Sequence, residues 1–251
     1  MKFSDLDTKM RVFETASDYC VLPEIYMVAR LDGRSFTKLT KEVHEFKAPY
    51  DPKFRDYMVA TIEHLMQCGF NITYAYTQSD EISLLFSLEE MSFHRKLRKI
   101  NSVLAGEASS KFSLLLGSPA CFDCRVSELP NRSLVVDYFR WRNEDANRNA
   151  LNAHCYWILR GEGLSGAEAS SRLSGVSVSD KNELLFQHGI SFNELPNWQK
   201  RGVGLYWETY EKEATNRKTQ KLVLAERRRI KVDFDLPMKD EYSDFVTKLM
   251  C

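Results

Sequence analysis

Apolar and polar positions along this chain alternate in two different rhythms. Residues 25–31 form a short apolar run that ends in Asp32-Gly33-Arg34, which predicts a strand closed by a breaker. A polar stretch with Pro49 and Pro52 follows. Phe54, Tyr57, Met58, Ile62, Leu65 and Met66 then recur at three- and four-residue spacing, the stripe of a helix over about 51–68 that Gly69 ends. Phe70, Ile72, Tyr74 and Tyr76 alternate with Asn71, Thr73, Ala75 and Thr77, the period of a strand. Gln78-Ser79-Asp80-Glu81 reads as a turn and 82–86 as a returning strand, so 70–86 predicts a hairpin. A further helix over about 93–115 turns Leu97, Ile100, Leu104 and Phe112 inward, and 119–126 is extended. Strand, helix, hairpin, helix, strand is the β-α-β-β-α-β order of a ferredoxin-like sheet.

The remainder reads as mostly helical. Residues 136–159 carry a long tryptophan-containing pattern. Ser165 with Glu168, and Asp180 with Glu183, fit capping boxes, and Gly189 fits a helix end. The expected organisation is α+β: a core over 1–130 and a helical region over 131–251, built as one compact unit.

Composition narrows the function classes. The 251 residues hold 35 Lys or Arg against 35 Asp or Glu, which excludes a uniformly basic nucleic-acid coat and a strongly acidic tail. A balanced total still permits local basic surface. Arg95, Lys96, Arg98 and Lys99 make one basic cluster, and 200–231 holds ten Lys or Arg and four Glu, with Arg227, Arg228 and Arg229 in a row. These two regions are the candidates for it. No run approaches the length of a membrane span, and acids interrupt the first ten residues, so neither a membrane segment nor a signal peptide is expected. Cys121 and Cys124 lack the second pair that a four-ligand zinc site needs. The six cysteines are expected to be buried, reduced thiols of a cytoplasmic protein.

Topology gives the carboxylates their interest. In a β-α-β-β-α-β sheet the first strand lies antiparallel beside the third. The end of the first, at Asp32, then meets the start of the third, at Asp80 and Glu81. Neighbouring strands are about 5 Å apart, which matches the spacing of a two-metal cluster. Crowded carboxylates raise each other's pKa, and Mg²⁺ resolves that cost while keeping phosphates and waters as its other ligands. Gly33 allows a backbone carbonyl to approach an ion closely. Arg30, Arg34 and Lys38 are placed to hold triphosphate oxygens. Phosphoryl or nucleotidyl transfer uses such a site. Equally, an Asp-Gly after a strand and a Ser-Asp-Glu between strands are ordinary polar turns.

Arg30-Leu31-Asp32-Gly33-Arg34-Ser35-Phe36 and Thr77-Gln78-Ser79-Asp80-Glu81-Ile82-Ser83 resemble motifs of the tRNA(His) guanylyltransferase family. So do Lys181-Asn182-Glu183-Leu184-Leu185-Phe186 and Phe192-Asn193-Glu194-Leu195-Pro196-x-Trp198-Gln199-x-Arg201-Gly202, and the likeness runs over roughly 5–210. The resemblance implies a polymerase-like palm that adds nucleotides in the 3′ to 5′ direction. It implies two Mg²⁺ ions held by Asp32, the Gly33 carbonyl and Asp80, with Glu81 also catalytic. It places Arg30, Arg34, Ser35, Phe36, Lys38, Ser79, Lys181 and Asn182 on the nucleotide or the RNA 5′ end, with ATP, GTP and other nucleoside triphosphates as substrates. The partner it implies is tRNA, held on the basic 93–99 and 200–231 regions, and the assembly a homotetramer.

The chain departs from the tRNA(His)-specific pattern where His-Ile-Asn-x-Leu-Tyr-Asn follows Trp-Arg-x-x-Asp-Ala. After Trp141-Arg142-Asn143-Glu144-Asp145-Ala146, Asn147 stands for the leading histidine and Asn152 for the tyrosine. The family's lysine before proline is replaced by Ala48 before Pro49, with Lys47 displaced by one. The expected activity is therefore template-dependent 3′–5′ nucleotide addition that repairs truncated tRNA 5′ ends, after activation of a 5′-monophosphate by a triphosphate. The alternative is addition of the extra guanylate to tRNA(His). A palm-type nucleotide cyclase and a catalytically silent RNA-binding module rank below both.

Overall fold

The computed structural model describes residues 1–215 and 222–250. In chain order the elements are α1 (Phe3–Thr15), β1 (Tyr26–Gly33), α2 (Phe36–Lys38), α3 (Pro52–Leu65), β2 (Ile72–Gln78), β3 (Glu81–Phe86), α4 (Leu97–Leu116), β4 (Phe122–Leu129), α5 (Arg132–Gly161), α6 (Gly166–Leu173), α7 (Val178–Gln187), α8 (Asn197–Arg201), β5 (Val203–Thr215), β6 (Leu222–Asp233) and α9 (Lys239–Leu249). The strands make one sheet in the order β4-β1-β3-β2-β5-β6, with every ladder antiparallel. The first four are the predicted ferredoxin-like core, and β1 lies beside β3 as expected.

Alternation along the strands feeds two cores. Met27, Leu31, Ile82 and Leu84 pack with Ile62, Leu104 and Phe112 of α3 and α4 on one face. Val28, Tyr74, Tyr76 and Leu85 pack with Val135 and Phe139 of α5 and with Tyr242 of α9 on the other. Both faces of residues 74–77 are thus buried, so the polar–apolar alternation read there marks two covered faces. The Tyr74 and Tyr242 hydroxyls pair at 2.9 Å deep in the second core, which answers the polar cost of burying both. A third cluster joins the far half of α5 to α6 and α7 through Leu151, Cys155, Leu159, Ala169, Leu173 and Leu185.

Side-chain caps fix the helix starts. Asp51 accepts from the Lys53 backbone at 2.7 Å to open α3, and Asn131 accepts from Leu134 at 3.0 Å to open α5. Ser165 and Glu168 form the expected reciprocal box. For α7 the cap is Ser177, which accepts from the Asp180 backbone at 3.1 Å, so Asp180 is a first-turn residue. Gly189 follows α7 at φ +73°, as its glycine suggested.

Four expectations need correction. The C-terminal region is mostly helical as expected, but it also holds two unforeseen strands: β5 and β6 form a long hairpin that joins the sheet at β2. Only 203–206 of β5 pair with β2, and the rest projects with charge on both faces, so it shows no period-two apolar signal. The helix read from 93 begins at Leu97, after a turn in which Phe93, His94 and Arg95 all have φ above +50°. An N-terminal helix, α1, was not foreseen. The cysteines are not uniformly buried: Cys20 and Cys121 are exposed, Cys68 and Cys124 intermediate, and Cys155 buried. Cys251 and residues 216–221 of the basic segment lie outside the described residues.

Candidate active site

The register of the ladders builds the acidic edge. Asp32 pairs with Glu81 across β1–β3 and with Asp123 across β1–β4, so three acids line up on one face at the end of the sheet. One pleat back on that face, Arg30 sits between Ser83 and Arg125. Asp80 occupies the tight turn before β3. Its carbonyl accepts from the Gly33 backbone at 3.2 Å, and the Ser79 hydroxyl donates to its carboxylate at 3.1 Å. Ser79 holds a left-handed backbone, φ +55°, to make this turn. Gly33 is required by packing: a Cβ there would lie 2.5–2.8 Å from the Phe36 ring.

The electrostatics follow from this crowding. Burial pushes the Asp32 carboxyl up, and the Glu81 and Asp123 charges push it further against the opposing pull of Arg30 and Arg125. Burial likewise raises Asp80, with Asp32 and Glu81 adding to it and the Ser79 hydroxyl opposing. Arg125 stands 4.0 Å from Asp32, too far for a firm pair. Glu81 differs from its neighbours. Its two carboxylate oxygens accept from the guanidinium groups of Arg30 and Arg142, and Arg142 also reaches Asp145 at 3.4 Å. α5 therefore delivers Arg142 over the sheet to clamp Glu81.

A cleft opens on the other side of Asp80, where Thr77, Gln78, Ser79 and Asp80 face Lys41, Lys47 and Arg55, and Phe46, Tyr50 and Trp198 supply aromatic wall. Arg55 lies 4.6 Å from the Trp198 ring centre. Burial pushes the Tyr50 hydroxyl up to about 12, so it remains a neutral hydrogen-bond donor. An acid at one end, three cations along the wall and flat rings suit a nucleoside triphosphate.

The donor set fits Mg²⁺. Two carboxylates that raise each other's charge cost stand at one sheet edge, and this cation prefers a few carboxylates plus substrate phosphates. No closed cluster of three His, Cys, Asp or Glu exists among the described residues, so an ion here would be completed by substrate.

The structure brings Asp32, Gly33, Asp80, Glu81, Ser79 and Arg30 together. Phe36 lines the cleft, yet its ring is buried against Phe112 and Phe122 and belongs mainly to the core. Arg34 and Ser35 on the β1–α2 connection and Lys38 in α2 are exposed beside it. Lys181 and Asn182 sit on α7, where their described bonds go to Ser177 and Val178 within the helix turn and to Cys155 of α5. The first basic cluster is corrected most sharply. The Arg95 side chain is buried and donates to the Leu88 carbonyl at 3.2 Å and to the Ile25 carbonyl. Lys96 pairs with Asp18 at 2.5 Å and Arg98 with the same carboxylate, which leaves Lys99 as the exposed member without a described ion pair. On β6, Arg227 and Arg229 share one face and Arg228 the other.

Sequence reasoning missed Asp123, Arg142, Lys41, Tyr50 and Arg55. Asp123 was accessible to it, since pairing the 119–126 strand with β1 sets it opposite Asp32.

Comparison with known proteins follows the same outline. A family model described as tRNAHis guanylyltransferase matches residues 7–130, and one described as Thg1 C terminal domain matches 133–244. The chain is 35% identical over 196 residues to the probable tRNA(His) guanylyltransferase of Drosophila melanogaster, a span covering 74% of this chain and 68% of that one. It is 31% identical over 224 residues to the tRNA(His) guanylyltransferase of Schizosaccharomyces pombe, covering 82% and 85%. Among solved structures, a bacterial tRNA(HIS) guanylyltransferase (Thg1)-like protein in complex with GTP superposes with TM-score 0.76 at 27% identity, over 98% of this chain and 99% of that one. The Saccharomyces cerevisiae tRNA(His) guanylyltransferase gives 0.73 at 26%, over 89% and 96%.

Proposed function

Because the chain belongs to the tRNA(His) guanylyltransferase family, a family of nucleotidyltransferases, we propose that it transfers a nucleotide onto the 5′ end of a tRNA. Guanylate addition to tRNA(His) is the reading that its named relatives favour. The observation that carries the chemistry is the meeting of Asp32 and Asp80 at the mouth of a cleft walled by cations and aromatic rings.

The residues divide the work as follows. Lys41, Lys47 and Arg55 hold the triphosphate, and Tyr50 and Trp198 pack on the base. Ser79 orients the Asp80 carboxylate. Asp32, Asp80 and the Gly33 carbonyl would hold Mg²⁺, which lowers the pKa of an attacking hydroxyl and neutralises phosphate charge when bound. Arg30 and Arg142 position Glu81 and through it the end of β3. The 3′-hydroxyl of the incoming nucleotide attacks the activated 5′ phosphate of the tRNA. It forms a new phosphodiester and expels AMP from an adenylylated end, or pyrophosphate from a triphosphate end. Exposed Arg227, Arg228 and Arg229 supply phosphate contacts to the RNA. A homotetramer is implied by family resemblance.

Template-directed repair of truncated 5′ ends is the second reading, favoured by Asn147 and Asn152 at the positions of the tRNA(His)-specific histidine and tyrosine. One experiment separates the two. A truncated tRNA(His) and a truncated unrelated tRNA are each offered all four nucleoside triphosphates, with C and then A opposite the missing position. GTP preference opposite A, confined to tRNA(His), supports guanylate addition. A switch to UTP opposite A in both tRNAs supports repair, and no incorporation from any triphosphate rejects the nucleotidyl-transfer assignment.

A further inference from the structure

Of the four tryptophans, only Trp141 is exposed, at 55%. It belongs to none of the three apolar clusters, so packing gives no reason for the largest side chain to stand in water there. Its ring is nevertheless held in place. The Arg142 guanidinium lies 4.7 Å from the ring centre, and the Tyr138 ring meets it edge-on at 6.0 Å. Both supports lead to the acidic edge. Arg142 donates to Glu81, which faces Asp32, and the Tyr138 hydroxyl pairs with that of Ser83 at 3.1 Å.

The alternation of the strands gives this indole its meaning. Asp32 and Glu81 share a sheet face with Val28 and Leu85, the face that α5 covers. The cleft that suits a nucleoside triphosphate is lined by Phe36, Phe54 and Met58, on the α3 side of the sheet. Asp80, in the turn between the two faces, belongs to both. A nucleotide in the cleft therefore meets an RNA 5′ phosphate at this edge only if the RNA arrives from the α5 side. On that side the exposed surface beside the acids is Trp141 with two cations. Arg125 is exposed next to Arg30 across the β1–β4 ladder. Arg148 is exposed two turns along α5 on the Trp141 face. The acid between them, Asp145, is already paired with Arg142 and Arg148. A flat ring flanked by guanidinium groups matches the end of an RNA duplex, which offers a flat base pair flanked by phosphates.

We propose that Trp141 is the stacking platform for the terminal base pair of the tRNA acceptor stem, a positioning residue that seats the RNA 5′ phosphate against Asp32 and Asp80. The inference rests on the nucleotidyl-transfer reading above. Arg142 holds one face of the indole and the base takes the other. A single guanidinium spans from the ring to Glu81, so a base seated there keeps its own phosphate at the acidic edge. Stacking tolerates any base, because each has a π face, so the platform serves guanylate addition and repair alike.

Cross-linking and binding on the full chain, without nucleoside triphosphate or Mg²⁺, test the proposal. One tRNA lacking its first nucleotide carries 5-iodouridine at the new 5′ terminus, and another carries it several pairs further in. Irradiation joins 5-iodouridine to an aromatic ring stacked on it. The terminal probe is expected to cross-link at Trp141, identified by mass spectrometry of the peptide, and the inner probe is not. Affinity for the truncated tRNA should fall about tenfold in Trp141→Leu, which keeps apolar bulk without a π face, and stay within about threefold of the wild type in Trp141→Phe. The Kd for GTP should be the same in all three chains. A terminal probe that cross-links elsewhere overturns the proposal. So do Leu and Phe variants that bind the tRNA alike: equal losses would mean that the indole only props the Arg142 clamp, and no loss that it touches no base. A wild type that transfers nucleotides but fails these tests loses the platform alone. A wild type that passes them and transfers no nucleotide loses the nucleotidyl-transfer reading alone.

Discussion

Glu81 lies directly across the β1–β3 ladder from Asp32, but the two carboxylates have opposite surroundings. Glu81 is neutralised by hydrogen bonds from Arg30 and Arg142, whereas Asp32 has no such bond and feels Arg30 and Arg125 only at a distance, against the acids beside it. Its pairing assigns Glu81 to positioning, and its lack of pairing leaves Asp32 free for a cation and phosphate.

Asp32→Asn and Asp80→Asn are each expected to reduce nucleotide transfer by about 100-fold or more, the scale of losing one electrostatic contact to a transition state. Each keeps its shape and removes one charge from a crowded edge. In the absence of Mg²⁺ both should therefore melt no lower than the wild type. Single-turnover assays on end-labelled tRNA and thermal unfolding check the two halves of this expectation.

Arg142→Met should behave differently, lowering stability as well as activity. It removes a charge-assisted hydrogen bond from a carboxylate that keeps one other partner, a loss of about 1.5–3 kcal/mol. Glu81→Gln should cost less once Arg142 is already gone. Urea unfolding of the two single variants and the double variant should give a coupling energy of about 0.5 kcal/mol or more. Additive losses would show that the clamp is not formed in solution.

The tie between the N-terminal segment and α4 depends on pH. Hydrogen bonds from Arg98 and Lys96 hold the Asp18 carboxyl at about 2, below its ordinary 3.8. A lowered folded-state pKa contributes stability that is complete above the unfolded value and disappears as pH falls through the folded one. The melting temperature of Asp18→Asn should thus lie below that of the wild type at neutral pH. The gap should close between about pH 4 and pH 2, and a gap independent of pH would refute the ion pair.

For the RNA, Arg227 and Arg95 make a decisive contrast. Arg227→Ala is expected to flatten the slope of log affinity against log salt by about one, as one lost phosphate contact does. Arg229→Ala should do less, because Glu208 holds that guanidinium at 2.7 Å. Arg95→Ala should lower the melting temperature and leave the slope unchanged in the folded fraction, since its guanidinium serves the Ile25 and Leu88 carbonyls.

The palm-like core was legible because each of its elements has one covered face or two, and burial writes a period into sequence. The meeting of Asp32 with Asp80 and Glu81 followed from strand order alone. The β5–β6 hairpin was not legible for the converse reason. Beyond Tyr206 it buries little, so Glu208, Glu211, Lys212 and Glu213 give no rhythm and read as a charged stretch. Arg95 was misread because charge in sequence does not tell which guanidinium turns inward, a choice made by the left-handed turn at 93–95. The cleft escaped notice because Lys41, Tyr50, Arg55 and Trp198 come from separate segments and meet only in the folded chain.

The seam between β2 and β5 has an implication for how this protein can be divided. Tyr74, Ala75, Tyr76 and Thr77, next to the turn that carries Asp80, pair with Tyr206, Leu205, Gly204 and Val203 from the opposite end of the chain. Gly202, just before that strand, could not carry a Cβ, which would fall 2.6 Å from the Thr77 carbonyl. A fragment ending near residue 130 would keep every carboxylate of the site and yet expose an unpaired, apolar strand edge beside it, a template for aggregation. The acids are therefore not a portable cassette: recombination or truncation that respects the sequence boundary near 130 breaks the cooperative unit that presents them.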